Sequence, residues 1–386
     1  MPLFEESKEL RDFRQVFKKF VAREVTPHFE EWEKNRGVPR ELWKKMGKQG
    51  FLAPWLPEEY GGSNLDFRYS VVIGEELVRG DGAAVGVPLS SDVATPYIYS
   101  YGSEELKKRI LPRVTTGDVI CAVGFTEPNA GSDLAAIRTK AVRDGDHFII
   151  NGQKTFITNG TFADVVVTAC KIESDSKDPK ASKNISLIAV EADSPGFHRG
   201  RQLEKMGRHM QDSSELFYED CRVPVSNLIG KEGEGFKYMM QKLCQERLEV
   251  CNKIITYAEE CFNEGVKYSK EREAFGKLIG DHQANGFKIA QMATEVEIGR
   301  TFFNVLLEDF VKGQDITMKV SMAKAWLGEM LQRTAYQALQ LHGGYGYCEE
   351  YRICRLFREC RSLSIFAGTT EIMNVIIARR LGFKGM

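Results

Sequence analysis

The 386-residue chain lacks the features that mark several large classes of protein. No apolar run approaches the ~18 residues that a membrane-spanning helix needs, and the first residues, MPLFEESKELRDF, contain no apolar secretory segment. Lys and Arg number 53 against 54 Asp and Glu, a formal net charge of −1. Because no basic block stands out, no nucleic-acid or anionic-membrane partner is predicted. We expect a soluble, cytoplasmic protein.

Motifs of common metal and catalytic sites are also missing. The nine cysteines include no C-x-x-C pair and the six histidines no H-E-x-x-H, so neither a disulfide framework nor a metal site is predicted. The chain has no G-x-G-x-x-G after a predicted strand and no G-x-S-x-G. A nicotinamide-binding Rossmann domain and a serine hydrolase are therefore disfavoured. We expect reduced, mostly buried thiols.

Hydrophobic periodicity divides the chain into three parts. The first part has only helical patterns, and its predicted helices cover 7–35, a short segment from Pro39, VVIGEELVRG and 103–117. The middle part has period-2 and continuous apolar runs, separated by tight-turn signals at Asp144-Gly145, Asn151-Gly152 and Asn159-Gly160. Within it, 173–184 is predicted to be a polar loop.

The last part is helical again. The predicted helices are 236–270, 282–312, 316–341, 349–358 and 370–381, with short breaks that suit a helix bundle. The order predicts an α+β fold with three domains. These are an α-helical domain at 1–118, a β domain at 119–229 and a helical bundle at 230–386.

One carboxylate interrupts an apolar stripe in the first bundle helix. Met239, Leu243, Glu246, Val250 and Ile254 lie on one face at helical spacing. Burial raises the pKa of a carboxyl group, and a general base works best when its pKa lies near the operating pH. Taken alone, the helix favours the other interpretation, a structural Glu paired with a neighbouring Arg.

Five segments together resemble the acyl-CoA dehydrogenase family over almost the whole chain. They are FTEPNAGSD (125–133), NGQKTFITN (151–159), REAFGK with HQ (272–283), QLHGGYGY (340–347) and GTTEI (368–372). The resemblance implies an N-terminal α-helical domain, a middle β-barrel-like domain and a C-terminal four-helix bundle. It also implies a homotetramer, an FAD cofactor, an acyl-CoA substrate and an electron-transferring flavoprotein as electron acceptor.

The resemblance assigns roles to residues by position. For the flavin end of FAD it implies Thr126, in the segment that starts at Phe125, and Phe156 and Thr158, in the segment 151–159. Ser132 matches a contact to both FAD and CoA. Contacts to the adenosine half, made from a neighbouring subunit, match Arg272 and Phe275, followed by His282 in the same segment. The remaining cofactor contacts match Gln340, Gly344, Thr369 and Glu371.

The reaction implied is α,β-dehydrogenation, in which a carboxylate takes the α-proton and hydride passes from the β-carbon to flavin. Most members place that carboxylate in an E-G-T loop, whereas this chain has Ala367-Gly368-Thr369. Long-chain and isovaleryl-type members use a helix Glu in an E-R-L segment, which Glu246 matches. The Ala367 backbone N–H matches a donor to the thioester oxygen. Arg247, about 100° round the helix from Glu246, is expected to position either CoA or the helix itself.

Asp92 is a second candidate base. It lies in a segment that lines the acyl pocket in the family, and the alternative is an ordinary helix N-cap. If Asp92 faces the ligand, an alicyclic enoyl thioester of the cyclohexene-carboxyl-CoA type would suit it, through 1,4-elimination. Two further alternatives are an acyl-CoA oxidase and a family member that binds nucleic acid, which the charge balance disfavours.

Overall fold

The structure is a computed structural model that describes residues 6–173 and 185–383. Nearly all of the predicted polar loop at 173–184 lies outside the described residues. Among those described, no helix is both long and apolar enough to cross a membrane. No cluster suited to a metal ion occurs among them either. All nine cysteines are free thiols and most are buried, which confirms that prediction.

The N-terminal part is helical, as its periodicity predicts. Its α-helices are α1 (Lys8–Glu24), α2 (Phe29–Asn35), α3 (Arg40–Lys48), α4 (Phe67–Arg79), α5 (Thr95–Tyr101) and α6 (Glu104–Thr116). The single long helix predicted at 7–35 is wrong, because a 3-10 turn containing Pro27 separates α1 from α2. Proline lacks the N–H that an uninterrupted helix requires. A π-helical turn, Leu89–Ala94, leads directly into α5.

The middle part is built on one mixed sheet. Its strands are β1 (Cys121–Gly124), β2 (Lys140–Asp144), β3 (His147–Thr158), β4 (Val165–Ile172), β5 (Ile185–Glu191), β6 (Phe197–Gln202), β7 (Ser213–Pro224) and β8 (Leu228–Ile229). The described residues pair in the order β6-β7-β3-β2-β4-β5-β8, and β1 pairs in parallel with β4. The core between the sheet and the N-terminal helices contains Val165, Leu187 and Tyr97.

Two of the three predicted turns of the sheet are confirmed. Asp144-Gly145 begins the hairpin between β2 and β3, and Asn159 leaves β3 at a φ of 64°. The turn predicted at Asn151-Gly152 is wrong, because both residues lie inside β3. They coincide with a register shift against β7, and Asn151 donates its side-chain N–H to Asp220 at 3.0 Å. An Asn-Gly pair, which often forms a tight turn, forms a bulge within a strand at this position.

The C-terminal part is a bundle whose helices agree closely with the predicted bounds. They are α7 (Gly235–Ser269), α8 (Gln283–Val311), α9 (Thr317–His342), α10 (Arg352–Cys360) and α11 (Thr370–Arg380), with a small hairpin of β9 (Glu273–Ala274) and β10 (Lys277–Leu278) after α7. Helix α7 packs against α8, α9 and α4. It therefore forms both the centre of the bundle and its boundary with the N-terminal part.

Candidate active site at the boundary of three domains

Helix α7 carries Glu246 on the face that packs against the rest of the molecule. Its stripe is buried on both sides, with Leu243 and Val250 less than 10% exposed, and Glu246 itself is half-buried. Burial raises the pKa of the Glu246 carboxyl group to about 7. Among the described residues, no hydrogen bond or ion pair reaches that carboxyl group. A carboxyl group with a raised pKa and no partner suits a proton acceptor better than one half of a structural ion pair.

The interpretation of Glu246 as one half of a structural ion pair is not supported. Arg247 is buried, and its Nε atom has no hydrogen-bond partner. The guanidinium acts on Glu246 only through space, where its positive charge lowers the carboxyl pKa against the larger effect of burial. Burial in turn lowers the pKa of Arg247. Two neighbouring groups of opposite charge are thus held in the interior without a direct bond between them.

Asp92 lies in the π-helical turn Leu89–Ala94 and is 3% exposed. The N-cap interpretation is wrong, because Asp92 lies within the turn and its carboxylate accepts hydrogen bonds from other elements. Ser70 donates its hydroxyl at 2.7 Å and Trp55 its indole N–H at 3.1 Å. Burial raises the pKa of Asp92 to about 7. Gln245 donates to the Asp92 carbonyl at 2.9 Å, which ties this turn to α7 beside Glu246.

Sequence reasoning missed two polar residues near Glu246. Tyr97 is fully buried, and its hydroxyl has no partner among the described residues. Lys324 is 1% exposed on α9, and its positive charge lowers the pKa of Glu246. Lys324 could have been found, because it interrupts the stripe of Val320, Leu327 and Leu331 as Glu246 interrupts its own. Tyr97 gave no such signal, since tyrosine is common in cores.

The loop between α10 and α11 approaches Arg247, whose Nη2 lies 3.9 Å from the place where a side chain on Gly368 would begin. Ala367 has a φ of 54° and Gly368 a φ of 95°. Thr369 caps α11 by accepting a hydrogen bond from the Ile372 N–H at 3.3 Å. Glu371, in the first turn of α11, is exposed, and its hydrogen bond with Thr369 lowers its carboxyl pKa. Thr369 and Glu371, which the resemblance assigns to the cofactor, therefore both lie at the start of α11 and stabilise it.

Three residues that the resemblance assigns to the flavin lie at the end of β3 or in the segment joined to it. Phe156 has a φ of 59° and leaves 69% of its side chain exposed, within the register shift of β3 against β7 between Lys154 and Ile157. Thr158 is half-buried at the end of the strand, and Thr126 is half-buried in the segment after β1. The Thr155 N–H donates to the Thr126 carbonyl at 3.0 Å, which joins the two segments. A strained, exposed aromatic ring is a marker of a ligand-facing position.

Phe125 and Ser132, in the segment after β1, have different surroundings from these three residues. Phe125 is 7% exposed, and its ring meets Tyr97 edge-on at 5.5 Å, so it belongs to the core beside the site. Ser132 is exposed in the turn that follows. Between them, Glu127 pairs with the buried Lys154 at 2.7 Å. The Lys154 ammonium lowers the pKa of Glu127 although burial alone would raise it.

A separate cavity of about 480 Å³ lies at the far end of α7. Arg272, Gln340 and Gly344 all line it, so the structure brings these three predicted residues together. Apart from the chain neighbours of each glycine, no atom of residues 6–173 and 185–383 lies within 4 Å of the place where a side chain on Gly343 or Gly344 would begin, which leaves that wall open. Guanidinium donors beside an open glycine wall fit a pyrophosphate.

The hairpin of β9 and β10 stands beside this cavity. Phe275, at its turn, is 96% exposed with a φ of 55°. The His282 imidazole contacts the Ala274 carbonyl at 3.0 Å and the Phe275 ring at 6.0 Å, so it supports the hairpin. The end of α7 at Ser269 is 23 residues beyond Glu246, about 35 Å along the helix. This cavity therefore lies far from Glu246 of the same chain.

Comparisons with known proteins bear on this arrangement. Family models match three segments of the chain: "Acyl-CoA dehydrogenase, N-terminal domain" at 7–118, "middle domain" at 122–221 and "C-terminal domain" at 233–382. The long-chain specific acyl-CoA dehydrogenase of Sus scrofa mitochondria is 42% identical over 369 residues, which cover 96% of this chain and 85% of that protein.

Solved structures show the same similarity. The acyl-CoA dehydrogenase from Geobacillus kaustophilus is 51% identical with a TM-score of 0.95, covering 98% of this chain and 99% of that one. A glutaryl-CoA dehydrogenase from Mycobacterium smegmatis, solved in complex with FADH2, is 28% identical with a TM-score of 0.90 over 99% of this chain and 96% of that one.

Proposed function

This chain belongs to the acyl-CoA dehydrogenase family of oxidoreductases, and on that premise we propose that it oxidises an acyl-CoA thioester to the enoyl-CoA with Glu246 as the base. The observation that supports this most directly is the Glu246 carboxyl group, which is desolvated, unbonded and has a pKa of about 7. A base with that pKa is ionised in a useful fraction of molecules near neutral pH and is still basic enough to accept a proton.

We propose FAD as the cofactor, and the residues present fit it. The exposed Phe156 and the half-buried Thr126 and Thr158 would hold the flavin end, while Arg272 and Gly344 offer the donor and the open wall that a pyrophosphate needs. When bound, FAD supplies the acceptor for the hydride that leaves the β-carbon of the substrate.

The chain's own residues would carry out the proton transfer. Glu246 takes the α-proton, and the electrons of that C–H bond form the new double bond as hydride leaves the β-carbon. The Ala367 N–H would donate a hydrogen bond to the thioester oxygen, which acidifies the α-proton. Arg247, with an unpartnered Nε beside Glu246, is a donor available to the CoA portion of the substrate.

We also propose a homotetramer, as the resemblance to the family implies, and the separation of the two sets of residues along α7 supports an assembly of at least two chains. The cavity that contains Arg272 lies beyond the end of α7, about 35 Å along the helix from Glu246, and Phe275 is 96% exposed among the described residues. A neighbouring subunit would supply the flavin whose adenosine half fills this cavity. An electron-transferring flavoprotein is the proposed oxidant of the reduced cofactor, as is usual in the family.

The experiment that tests this function is anaerobic flavin reduction by a panel of CoA thioesters. The panel includes long linear, branched and alicyclic acyl groups, and the long-chain name of the Sus scrofa relative puts the linear substrates first. Glu246→Gln should slow reduction about 10²–10⁴-fold with every substrate, the usual contribution of a positioned base. Unchanged reduction in this variant would refute the assignment.

Asp92→Asn is the comparison variant, since Asp92 is a more deeply buried carboxyl group whose pKa burial also raises to about 7. Its carboxylate already accepts two hydrogen bonds, which an Asn oxygen can also accept, so the variant should reduce at close to the parental rate. If Asp92→Asn instead abolishes reduction by alicyclic enoyl thioesters only, Asp92 is the base of a 1,4-elimination. Rapid reoxidation by O₂ would identify an oxidase.

A further inference from the structure

A lysine is buried at the base of the loop that carries Ala367. Lys324, on α9, is 1% exposed and lies among fully buried apolar residues of the same helix. Burial lowers the pKa of its ammonium group to about 8. An ammonium group is costly to bury unless its donors are used, so its partners indicate what it does.

Both partners of Lys324 are backbone carbonyls of one loop. Its Nζ atom donates to the carbonyl of Gly368 at 2.6 Å and to that of Leu363 at 3.4 Å. These two carbonyls bracket the segment 364–367, so one side chain fastens both ends of the segment to α9. On the other side, Arg247 Nη2 lies 3.9 Å from the place where a side chain on Gly368 would begin.

The fastened segment has a backbone conformation that needs support. Ala367 has a φ of 54°, a left-handed conformation that is unfavourable for any residue with a Cβ. Gly368 follows at a φ of 95°, and a side chain there would approach the Met373 Cε atom within 2.5 Å. Without an anchor, the segment would relax toward ordinary dihedral angles, and the Ala367 N–H would change direction.

We propose that Lys324 is a positioning residue that holds the loop 364–368 so that the Ala367 N–H can donate to the thioester oxygen. The proposal rests on the function proposed above. In it, Lys324 does not contact the substrate itself but holds the Ala367 N–H, which does. Lys324 touches neither the reacting carbon atoms nor the cofactor; it acts on the loop through the two carbonyls, separately from the effect of its charge on the pKa of Glu246.

The test compares Lys324→Met with Lys319→Met, the same substitution at an exposed position of the same helix. Hydrogen–deuterium exchange is measured in FAD-free and FAD-loaded protein. Lys324→Met should speed exchange of the loop amides at least about tenfold while the α7 amides remain protected, as a local opening would. Lys319→Met should leave both regions unchanged. Loop exchange that is equally slow in Lys324→Met would overturn the proposal.

Kinetics and a rescue separate positioning from a general structural role. Loss of an oxyanion donor costs roughly 10²–10³ in kcat, so its displacement should lower kcat about tenfold or more, with a smaller change in KM. Adding Ala367→Gly should restore kcat roughly fivefold, because glycine adopts the left-handed conformation without the Cβ penalty. No rescue, or a loss confined to KM, would contradict the role of the loop.

Two further variants keep the outcome interpretable. If Lys324→Met does not fold, Lys324→Gln, which retains an N–H donor, is measured in the same way. Its loop exchange should lie between those of the parent and Lys324→Met, and parental exchange would refute the proposal. Glu246→Gln should slow flavin reduction about 10²–10⁴-fold without changing loop exchange, so failure of the proposed base and failure of the Lys324 anchor give different results.

Discussion

Two carboxyl groups with similar pKa values occupy the interior of this protein, and their hydrogen-bond partners distinguish them. Asp92 accepts from Ser70 and Trp55, whereas the carboxyl group of Glu246 accepts from no described residue. A perturbed pKa by itself is common to structural and catalytic groups. Among the described residues, Glu246 lacks a hydrogen-bond donor, and the nearby Tyr97 hydroxyl lacks a partner as well. A bound substrate or water could supply hydrogen bonds to both groups.

The pH dependence of flavin reduction follows from Glu246 at this scale. The carboxyl group must be ionised to accept the α-proton, and burial raises its pKa to about 7. The rate should therefore rise about tenfold per pH unit below that value and level off above it. Anaerobic stopped-flow measurements between about pH 5 and 9 check this.

The control for that profile is Asp92→Asn. Because Asp92 is not the proposed base, its replacement should leave the midpoint near the parental value. A profile that is flat across this range, or one whose midpoint disappears in Asp92→Asn, would assign the titration to a group other than Glu246.

At the scale of elements, the segment after β1 is held to the sheet by a buried ion pair. Lys154, in β3, donates to Glu127 and to the Ala169 carbonyl, both at 2.7 Å. Glu127 in turn accepts from the Arg138 and Thr139 N–H groups. The pair therefore fixes the start and the end of the segment that contains Thr126 and Ser132. Glu127 and Lys154 both belong to segments that resemble the family, and we expect them to shape this segment rather than to contact a ligand themselves.

Breaking this pair should be costly. Lys154→Met leaves the Glu127 carboxylate buried without its counter-ion, and we expect a loss of roughly 3–5 kcal/mol of unfolding free energy by urea denaturation. Lys140→Met is the matched control, since it breaks an exposed pair with Glu173 and should cost less than about 1 kcal/mol. Adding Glu127→Leu should recover only part of the loss, because two backbone N–H groups lose their acceptor.

At the scale of the whole molecule, α7 separates two sets of residues that we propose to contact FAD. Glu246 and the cavity that contains Arg272 lie at different parts of a 35-residue helix. The rigidity of a helix packed on both sides prevents the chain from bringing them together. A complete site on this account needs two chains, each contributing one end.

Mixed subunits test that arrangement. Glu246→Gln and Arg272→Ala chains should each be weakly active alone, the second because it loses charged hydrogen bonds to FAD worth roughly 10–100-fold in affinity. Unfolded together and reassembled at limiting FAD, they should regain part of the parental activity, since some sites combine an intact Glu246 with an intact Arg272 of the partner.

The control mixture replaces Arg272→Ala with a doubly substituted chain carrying Glu246→Gln and Arg272→Ala. No site in that mixture contains a Glu246, so no activity should return. If the first mixture also stays inactive while assembling normally by analytical ultracentrifugation, both residues serve the cofactor of their own chain.

The sequence by itself determined the α–β–α order, the bundle helices and the position of Glu246, because periodicity over long segments reports directly which face is buried. It failed at Pro27 and at Asn151-Gly152, where short-range propensity permits either of two local structures and packing selects one. Only the tertiary structure decided that Asp92 is bonded and Glu246 is not, that Lys324 anchors the Ala367 loop, and that the Arg272 cavity is remote from Glu246. These facts depend on contacts between residues far apart in the chain, and no local pattern encodes such distances.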